Sequence, residues 1–397
     1  MKKSRKTELQ SLFQTVETPY RPDVRWWLAE GLNTDPTLKK NIQDIHDLGF
    51  GAAEFLAMPE PGADSTIYGW GSDEWTADTQ LIIREATRLG LGFSLTSGAH
   101  WATANLPDTY TWDGEAYTPD CKAAAKELDY ATILLNAGES FSGELPLCKK
   151  IELELRPGMS DAHGGKTDFK RFDFQGVVAA RILKKREGSG QDFAYAEGEG
   201  TGVLDPDSLM NLTDLVREAD GRHRLTWTAP ADGDYALFVY WMHGTGQIAS
   251  PSVSTNYTIN YMDPYGIQAL IAYWEEIVLP GEMKDILREN GRGEIYMDSL
   301  EMQTFGAGGM LWGYTLKEEF MRRKGYDVTK YLPLIVGDKA RVQSRSVRQY
   351  DYAVPEGADL TLPEKVRTDY FSVISDLYVE NTLKPLDEWL QIGRAHV

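Results

Sequence analysis

Two carboxylates three positions apart follow a short apolar run in the stretch EIYMDSLEMQTFGAGG, residues 294–309. They are Asp298 and Glu301, and a glycine-rich loop comes directly after them. Apolar and aromatic neighbours raise the pKa of a carboxyl group, because the charged form loses its hydration. Glu301 is therefore our candidate general acid, and a solvated acidic rim at an ordinary strand end is the alternative. Because side chains alternate along a strand, we expect Asp298 to point the other way and to support the substrate-binding site.

Further candidates for a carbohydrate site are two tryptophans, a carboxylate and a histidine near the ends of earlier apolar runs. They are Trp27, Glu54, His100 and Trp101. The apolar faces of sugars stack on indole rings, while carboxylates bind hydroxyl groups or transfer protons. Each residue has a structural alternative. It is a salt bridge to a neighbouring strand for Glu54, a hydrogen-bonded loop position for His100, and the core for both tryptophans.

The motifs of several other catalytic classes are absent from the sequence. It contains no G-x-S-x-G element of a serine hydrolase, no H-E-x-x-H zinc motif and no EF-hand loop. A calcium ion bound by carboxylates and carbonyls from several loops would leave no such motif. We therefore expect no organic cofactor, and calcium is the metal that we consider.

The first hundred residues alternate between predicted strands and helices. Strands are predicted at 25–32, 51–58 and 92–101, and amphipathic helices at 35–50 and 72–91. This order is typical of parallel βαβ units.

Residues 104–262 show no long helical period, and short apolar runs between turn residues indicate an inserted antiparallel β-domain. The α/β pattern resumes over 263–391, with a fourth predicted strand at 294–302. The predicted helices there are 264–290, 316–326 and 370–391, the last with a kink at Pro385.

Four strands with helices between them fit the first half of a (β/α)8 TIM barrel, which is the fold class we expect for 1–103 and 263–391. A doubly wound sheet is the alternative, but it would show a glycine-rich phosphate loop after its first strand. Active sites of barrels lie at the carboxyl ends of the strands, which is where the candidate residues fall.

Composition excludes several kinds of partner. The net charge of −19 over 397 residues argues against binding to nucleic acid. No run is apolar over the roughly 18 residues of a membrane span, and the basic N-terminus lacks the apolar segment of a signal peptide. We therefore expect a cytoplasmic protein without a membrane partner.

Cys121 and Cys148 are the only cysteines, and either a bridge or two reduced thiols is compatible with their spacing.

The chain ends in IGRAHV. The codons ATC GGA AGA GCA CAC GTC, which would encode this tail, match a widely used sequencing adapter. We therefore expect residues 392–397 to be non-native and the native sequence to break off after about Gln391. A genuine short polar C-terminus is the alternative.

Long segments of the sequence resemble glycoside hydrolase family 106, the α-L-rhamnosidases. YRPDVRWWLAEGLNTDPTLKKNIQDIHDLGFGAAEFLAM is similar to the first two barrel strands of that family, and EATRLGLGFSLTSGAHW to the third. DSLEM and the later LWGYTLKEEFMRRKGYDVTKYLPLIVG, within residues 298–337, resemble its D-S-x-E, W-T and EF-x-x-R-x-GYD-x-x-x-YLP pattern. RTDYFSVISDLYVENTLKPLDEWLQ resembles the helix before the fifth strand.

The resemblance implies inverting hydrolysis of a terminal α-L-rhamnosyl linkage in a plant or microbial glycan, by two carboxylic side chains and often with calcium. Glu301 matches the motif glutamate and would be the general acid, with Asp298 supporting the site. The base would lie on a later strand, so we expect residues 1–391 to be inactive alone. RWWLAEG and SGAHWAT depart from the family pattern at the sugar-binding rim. A barrel glycosidase of another sugar specificity and a non-catalytic carbohydrate-binding protein are therefore the alternatives.

Overall fold

The computed structural model describes residues 10–13, 16–99, 104–148, 169–184, 202–248, 252–297, 300, 302–304, 310–335, 350–352 and 361–392. Its first part alternates strands and helices, as the sequence predicts. After a short 3-10 turn, the elements are Val24–Glu30 (β1), Asp35–Asp47 (α1), Ala52–Pro59 (β2), Ser65–Tyr68 (α2), Asp73–Arg88 (α3) and Gly92–Thr96 (β3).

The ends of α1 and α3 follow from local chemistry. Pro36 lies in the first turn of α1, where its missing backbone donor costs nothing. Ser72 caps α3 by accepting a hydrogen bond from the backbone N–H of Trp75 at 3.2 Å. Gly49 and Gly90 follow the two helices with φ values of 86° and 69°, a left-handed conformation that glycine adopts without strain.

A β-rich part follows β3 in the chain, and its described helices are short 3-10 turns. Its strands are Asn105–Pro107 (β4), Thr111–Trp112 (β5), Glu115–Ala116 (β6), Lys126–Leu135 (β7), Ser140–Glu144 (β8), Asp173–Lys184 (β9), Gly202–Leu204 (β10), Met210–Asn211 (β11), Arg217–Ala219 (β12), Arg222–Thr228 (β13), Asp234–Gly244 (β14) and Asn256–Thr258 (β15).

Helices return after β15. The elements are Pro264–Tyr273 (α4), Met283–Asn290 (α5), Gly293–Tyr296 (β16), Met310–Trp312 (β17), Leu316–Lys324 (α6), Leu332–Ile335 (α7), Tyr350–Tyr352 (β18), Leu362–Tyr378 (α8) and Lys384–Ile392 (α9). None of the helices in the described ranges has the length and hydrophobicity of a membrane span.

Two of the predictions for this last part need correction. The fourth parallel strand ends at Tyr296 and does not continue as a strand through Met297. The helix predicted over 264–290 is divided, because α4 passes into a π-helical turn at Trp274–Val278 and Pro280 separates it from α5. The helix predicted over 370–391 is interrupted near Pro385 as expected, because a second π turn, Val379–Leu383, joins α8 to α9.

The parallel strands form a sheet in the order β1-β2-β3-β16, so that neighbours in the sheet follow one another in the chain. One face packs against α1 and α3, with Leu28, Phe55 and Phe93 in the main core. Because side chains alternate, Arg25, Glu54 and Tyr296 lie on the opposite face. The parallel sheet thus has one face covered by helices and one face with charged and aromatic side chains.

The longest strands belong to a larger sheet with the order β17-β7-β14-β9-β10-β18. A smaller sheet, β12-β13-β8, packs on it, and Val177, Leu225 and Leu237 fill a second core between the two. The strands β17 and β18 come after β16 in the chain and still join the larger sheet. The division of the chain at 104 and 263 stays a prediction, but this pairing connects its two sides.

Candidate active site

The carboxyl ends of the parallel strands meet along one edge of the sheet, where β1 ends at Glu30. The Glu30 side chain is fully buried and receives hydrogen bonds from several directions. The backbone N–H groups of Trp70 and Val253 donate to it at 2.7 and 2.9 Å, and the Ser252 hydroxyl donates at 2.8 Å. Glu30 therefore fastens the loop after β2 and the segment before β15 to the end of β1.

Two amides brace the chain beside the candidate residues. Asn105 accepts a hydrogen bond from the backbone N–H of Ala99 at 3.1 Å, and Ala99 directly precedes His100. Gln247 accepts one from the backbone N–H of Gln303 at 3.0 Å, two positions after Glu301. Both Asn105 and Gln247 are buried and come from the β-rich part of the chain. The β-rich part therefore supports the loops that follow β3 and β16.

The helix-free face of the parallel sheet holds an ion pair. Arg25 and Glu54 stand opposite each other on β1 and β2, with 2.7 Å between Arg25 Nε and Glu54 Oε1. The Arg25 guanidinium also lies 4.8 Å from the centre of the Tyr296 ring. Hydrogen bonding to Tyr296 and the charge of Glu54 raise the pKa of Arg25, against the lowering effect of burial. Glu54 thus forms the salt bridge that the sequence left as an alternative, and its role in substrate binding stays a prediction.

The contact between Arg25 and Tyr296 also reports the shape of the sheet. The two residues lie on its edge strands, β1 and β16, with β2 and β3 between them. Three steps of about 4.8 Å would separate these strands by roughly 14 Å in a flat sheet. The sheet is therefore curled, and the face with Arg25, Glu54 and Tyr296 is its concave side.

Trp27 is the more exposed of the two candidate residues that the structure describes. It stands two positions after Arg25 on β1, on the same concave side, and 56% of its surface is exposed. Its neighbour Trp26 points to the helices and packs against the core. The core alternative is therefore wrong for Trp27, and an exposed indole is the surface on which a sugar ring can stack.

Four candidate residues lie outside the described residues: His100, Trp101, Asp298 and Glu301. The structure describes their chain neighbours, which are Ala99 before the first pair, Met297 before Asp298 and Met302 after Glu301. These neighbours stand next to the carboxyl ends of β3 and β16. The roles of the four residues stay predictions.

Sequence reasoning missed the polar residues that hold this edge together. The sequence showed Glu30 only as a charged residue at the end of a predicted strand. Its hydrogen-bond partners lie 40 and more than 220 positions further along the chain, so they could not be identified. Asp78 on α3 was not singled out, yet burial raises its pKa to about 6, against a hydrogen bond from Asn33 that lowers it. The same Asn33 side chain donates to the backbone carbonyl of Ala29 at 2.9 Å, near the end of β1.

Two known proteins are similar to this chain over most of its length. A protein from Formosa agariphila that carries the provisional name beta-glucuronidase is 20% identical over 392 residues, which is 95% of this chain and 30% of that protein. The solved structure of a rhamnosidase from Novosphingobium sp. PP1Y matches with a TM-score of 0.56 at 15% identity. That match covers 97% of this chain and 46% of the rhamnosidase. The chain therefore has the fold of part of that structure, and it spans less than half of the length of both relatives.

The class of protein follows from the family comparison, because the sequence matches the model of a glycoside hydrolase family. The chain belongs to glycoside hydrolase family 106, described as alpha-L-rhamnosidase, whose family model matches residues 189–397, more than half of the sequence.

Proposed function

We propose that this chain is part of an inverting α-L-rhamnosidase, with Glu301 as the general acid that protonates the leaving oxygen. The observation that carries the proposal is the family match over residues 189–397, which includes the segment DSLEM after β16. Asp298 supports the substrate or a neighbouring loop in this mechanism. The glycoside is the substrate, and a calcium ion held by loop carboxylates and carbonyls is compatible with the same edge of the sheet.

The parallel sheet supports a barrel as the fold of the complete enzyme. Its strand order β1-β2-β3-β16 follows the chain, whereas a doubly wound sheet reverses its order at a switch point. The curl of the sheet leaves a concave face, as in the interior of a (β/α)8 barrel. We therefore propose that these strands are the first four of such a barrel.

The mechanism needs a second carboxylate. An inverting glycosidase holds its acid and its base roughly 6.5–9.5 Å apart, so that a water molecule fits between the base and the sugar. We propose that the base lies on a later strand of the complete enzyme. Trp27 then offers its exposed indole as a stacking surface for a sugar ring.

Release of free L-rhamnose by the complete enzyme tests the proposal. The substrate panel consists of 4-nitrophenyl glycosides, and proton NMR of the first product reports whether the anomeric configuration inverts. On a rhamnoside with an alcohol or sugar leaving group, which must be protonated to leave, Glu301→Gln should lower kcat by about 10²–10⁴-fold, because the amide cannot donate the proton. Glu294→Gln is the matched control, since Glu294 is exposed at the amino end of the same strand. An unchanged kcat in Glu301→Gln, or retention of configuration, would contradict the mechanism.

A second substrate class deserves a place in the same panel, because the Formosa agariphila relative is named a beta-glucuronidase. Faster hydrolysis of a β-D-glucuronide than of an α-L-rhamnoside would favour this alternative. Glycoside binding without hydrolysis of any member of the panel would favour a carbohydrate-binding protein.

A further inference from the structure

Four buried side chains with metal-binding atoms meet inside the β-rich part, away from the parallel sheet. They are Glu127, Asp129, Cys148 and His243, and between 1% and 5% of each residue is exposed. We call them the buried donor cluster. The proposed glycosidase mechanism uses none of them.

Sheet register brings three of these residues to one face. His243 on β14 stands directly opposite Glu127 on β7, and Asp129 is two positions further along β7. All three side chains therefore point into the space between the larger and the smaller sheet. Cys148 reaches the same space from the chain that follows β8.

The chain before Cys148 is held in place by two hydrogen bonds. The backbone N–H of Leu145 donates to the carbonyl of His223 at 2.8 Å, and the indole N–H of Trp241 donates to the carbonyl of Pro146 at 2.9 Å. Phe169 covers the cluster from another side, since its ring stacks on the His243 imidazole with 4.3 Å between the ring centres. The thiol is therefore fixed near the carboxylates by its surroundings.

The distances define which atoms converge. The potential ligand atoms of Asp129, Cys148 and His243 all lie within 4.8 Å of one another. His243 Nε2 is 3.7 Å from Asp129 Oδ2, while His243 Nδ1 is 2.8 Å from the backbone carbonyl of Gly244. In the neutral imidazole with its proton on Nδ1, which donates to that carbonyl, the Nε2 lone pair can bind a cation beside Asp129.

The charges of the side chains suit a bound cation. The cluster places two carboxylates, Glu127 and Asp129, beside a thiol and an imidazole in the core. A cation bound between a thiolate and a carboxylate stabilises both, because buried negative charge is costly without a partner.

We propose that Asp129, Cys148 and His243 bind a zinc ion. A sulfur, an imidazole nitrogen and a carboxylate oxygen form a donor set that suits zinc, whereas calcium prefers oxygen ligands alone. The two charges of the ion balance those of the thiolate and of the Asp129 carboxylate in the core. Binding releases the thiol proton to solvent.

Geometry and the remaining residues fit the same assignment. Zinc bonds of about 2.0–2.3 Å require only a small inward movement of ligand atoms that already lie this close. Glu127 Oε1, 3.9 Å from His243 Nδ1, lies on the far side of the imidazole from the ion and strengthens the basicity of the ring through its charge. Three protein ligands leave the fourth position of a tetrahedral zinc ion to a water molecule. The ion would fasten the chain after β8 to β7 and β14.

A nucleophilic cysteine is the competing interpretation, because a thiol, an imidazole and a carboxylate also form catalytic triads. Reactive cysteines have a lowered pKa and reach solvent. Cys148 is buried, with 5% of its surface exposed. The structure therefore favours a metal ligand.

The test uses the full chain, loaded with Zn²⁺ or Co²⁺, desalted and analysed for bound metal by mass spectrometry. We expect about one zinc ion per chain, and with cobalt an absorption band in the near ultraviolet from a thiolate ligand. Cys121→Ser is the matched control, since Cys121 is also buried but belongs to the other core. Cys121→Ser should keep the metal and the band, and Cys148→Ser should lose the band and bind zinc at least about tenfold more weakly.

The Cys121→Ser control also keeps the test conclusive if the Cys148→Ser variant does not fold. In Cys121→Ser the only cysteine left is Cys148, so its band identifies the ligand even if Cys148→Ser does not fold. Absence of the band in Cys121→Ser, or wild-type chain that retains no zinc after loading, would overturn the proposal. So would a folded Cys148→Ser variant with the cobalt spectrum of the wild type.

Discussion

Arg25 and Glu54 are paired across β1 and β2 with 2.7 Å between Nε and Oε1, on the concave side of the parallel sheet. The pair is half-buried, with 36% of the arginine side chain and 17% of the glutamate side chain exposed. The same arginine lies over the ring of Tyr296. One guanidinium therefore connects three strands of the sheet.

The first prediction concerns this connection. Arg25→Met should lower the free energy of unfolding by about 1–2 kcal/mol, because it removes both the ion pair and the cation–π contact. Urea unfolding measures the loss. Arg88→Met is the control, since Arg88 pairs with Glu85 at the same 2.7 Å but on a more exposed helix surface, and should cost at most about 0.5 kcal/mol. Equal losses of unfolding free energy in the two variants would mean that the Arg25 contacts stabilise the protein no more than an exposed helix ion pair does.

The second prediction concerns Glu30. Glu30→Gln should lower the free energy of unfolding by about 1–3 kcal/mol, because the amide group would place a donor against the donors of Trp70, Ser252 and Val253. Glu60→Gln, at an exposed position after β2, is the control. A Glu30→Gln enzyme with full stability and a lowered kcat would instead make Glu30 a catalytic group.

The third prediction concerns the pH dependence of stability through Asp78. Its pKa in the folded protein, about 6, is above its ordinary value. The folded state therefore binds the proton more tightly, and the contribution of Asp78 to stability falls as the pH rises through 6. Asp78→Asn should raise the free energy of unfolding at pH 8 by roughly 1–2 kcal/mol and change it little at pH 4.

Urea unfolding at both pH values measures this effect. Asp73→Asn is the control on the same helix, because Asp73 lies in the first turn of α3, where a negative charge is favourable. It should destabilise slightly at pH 8. Equal stability of wild type and Asp78→Asn at the two pH values would show that burial does not perturb this carboxyl group.

The fourth prediction concerns the exposed indole. In the complete enzyme, Trp27→Ala should raise KM by about 3–10-fold with little change in kcat, because stacking binds the ground state and the transition state alike. Trp27→Phe keeps an aromatic face and should restore most of the affinity. Steady-state kinetics with the preferred glycoside provides both constants, and an unchanged KM in Trp27→Ala would remove Trp27 from the site.

The sequence predicted the elements of the parallel sheet well, because local signals set their limits. Pro36 and Gly49 bound α1, and Ser72 and Gly90 bound α3. The third and fourth strands were predicted too long, since the strand-like sequence pattern continues after Thr96 and after Tyr296, where β3 and β16 end. The spacing of apolar residues alone does not distinguish the end of a strand from a following loop that also contains apolar residues.

Contacts between distant segments could not be predicted in this way. Cys148 and His243 are 95 positions apart, and only the register of β7 on β14 places Asp129 beside both. A scan for metal motifs needs ligands at short, fixed spacing and therefore found no zinc site. The salt bridge of Glu54 was foreseen as an alternative because a charge within an apolar strand needs a partner, although nothing in the sequence identified Arg25.

The pairing of β17 with β7 has a practical consequence for anyone who exchanges modules between related enzymes. The stretch with both candidate carboxylates lies in the sequence between Tyr296, the last residue of β16, and Met310, which is the register partner of Leu128 in the larger antiparallel sheet. Excision of residues 104–262 as a detachable cassette would remove the strand on which β17 is built. A chimera that keeps this pairing must transfer β17 together with the β-rich part. The segment to exchange is therefore longer than residues 104–262.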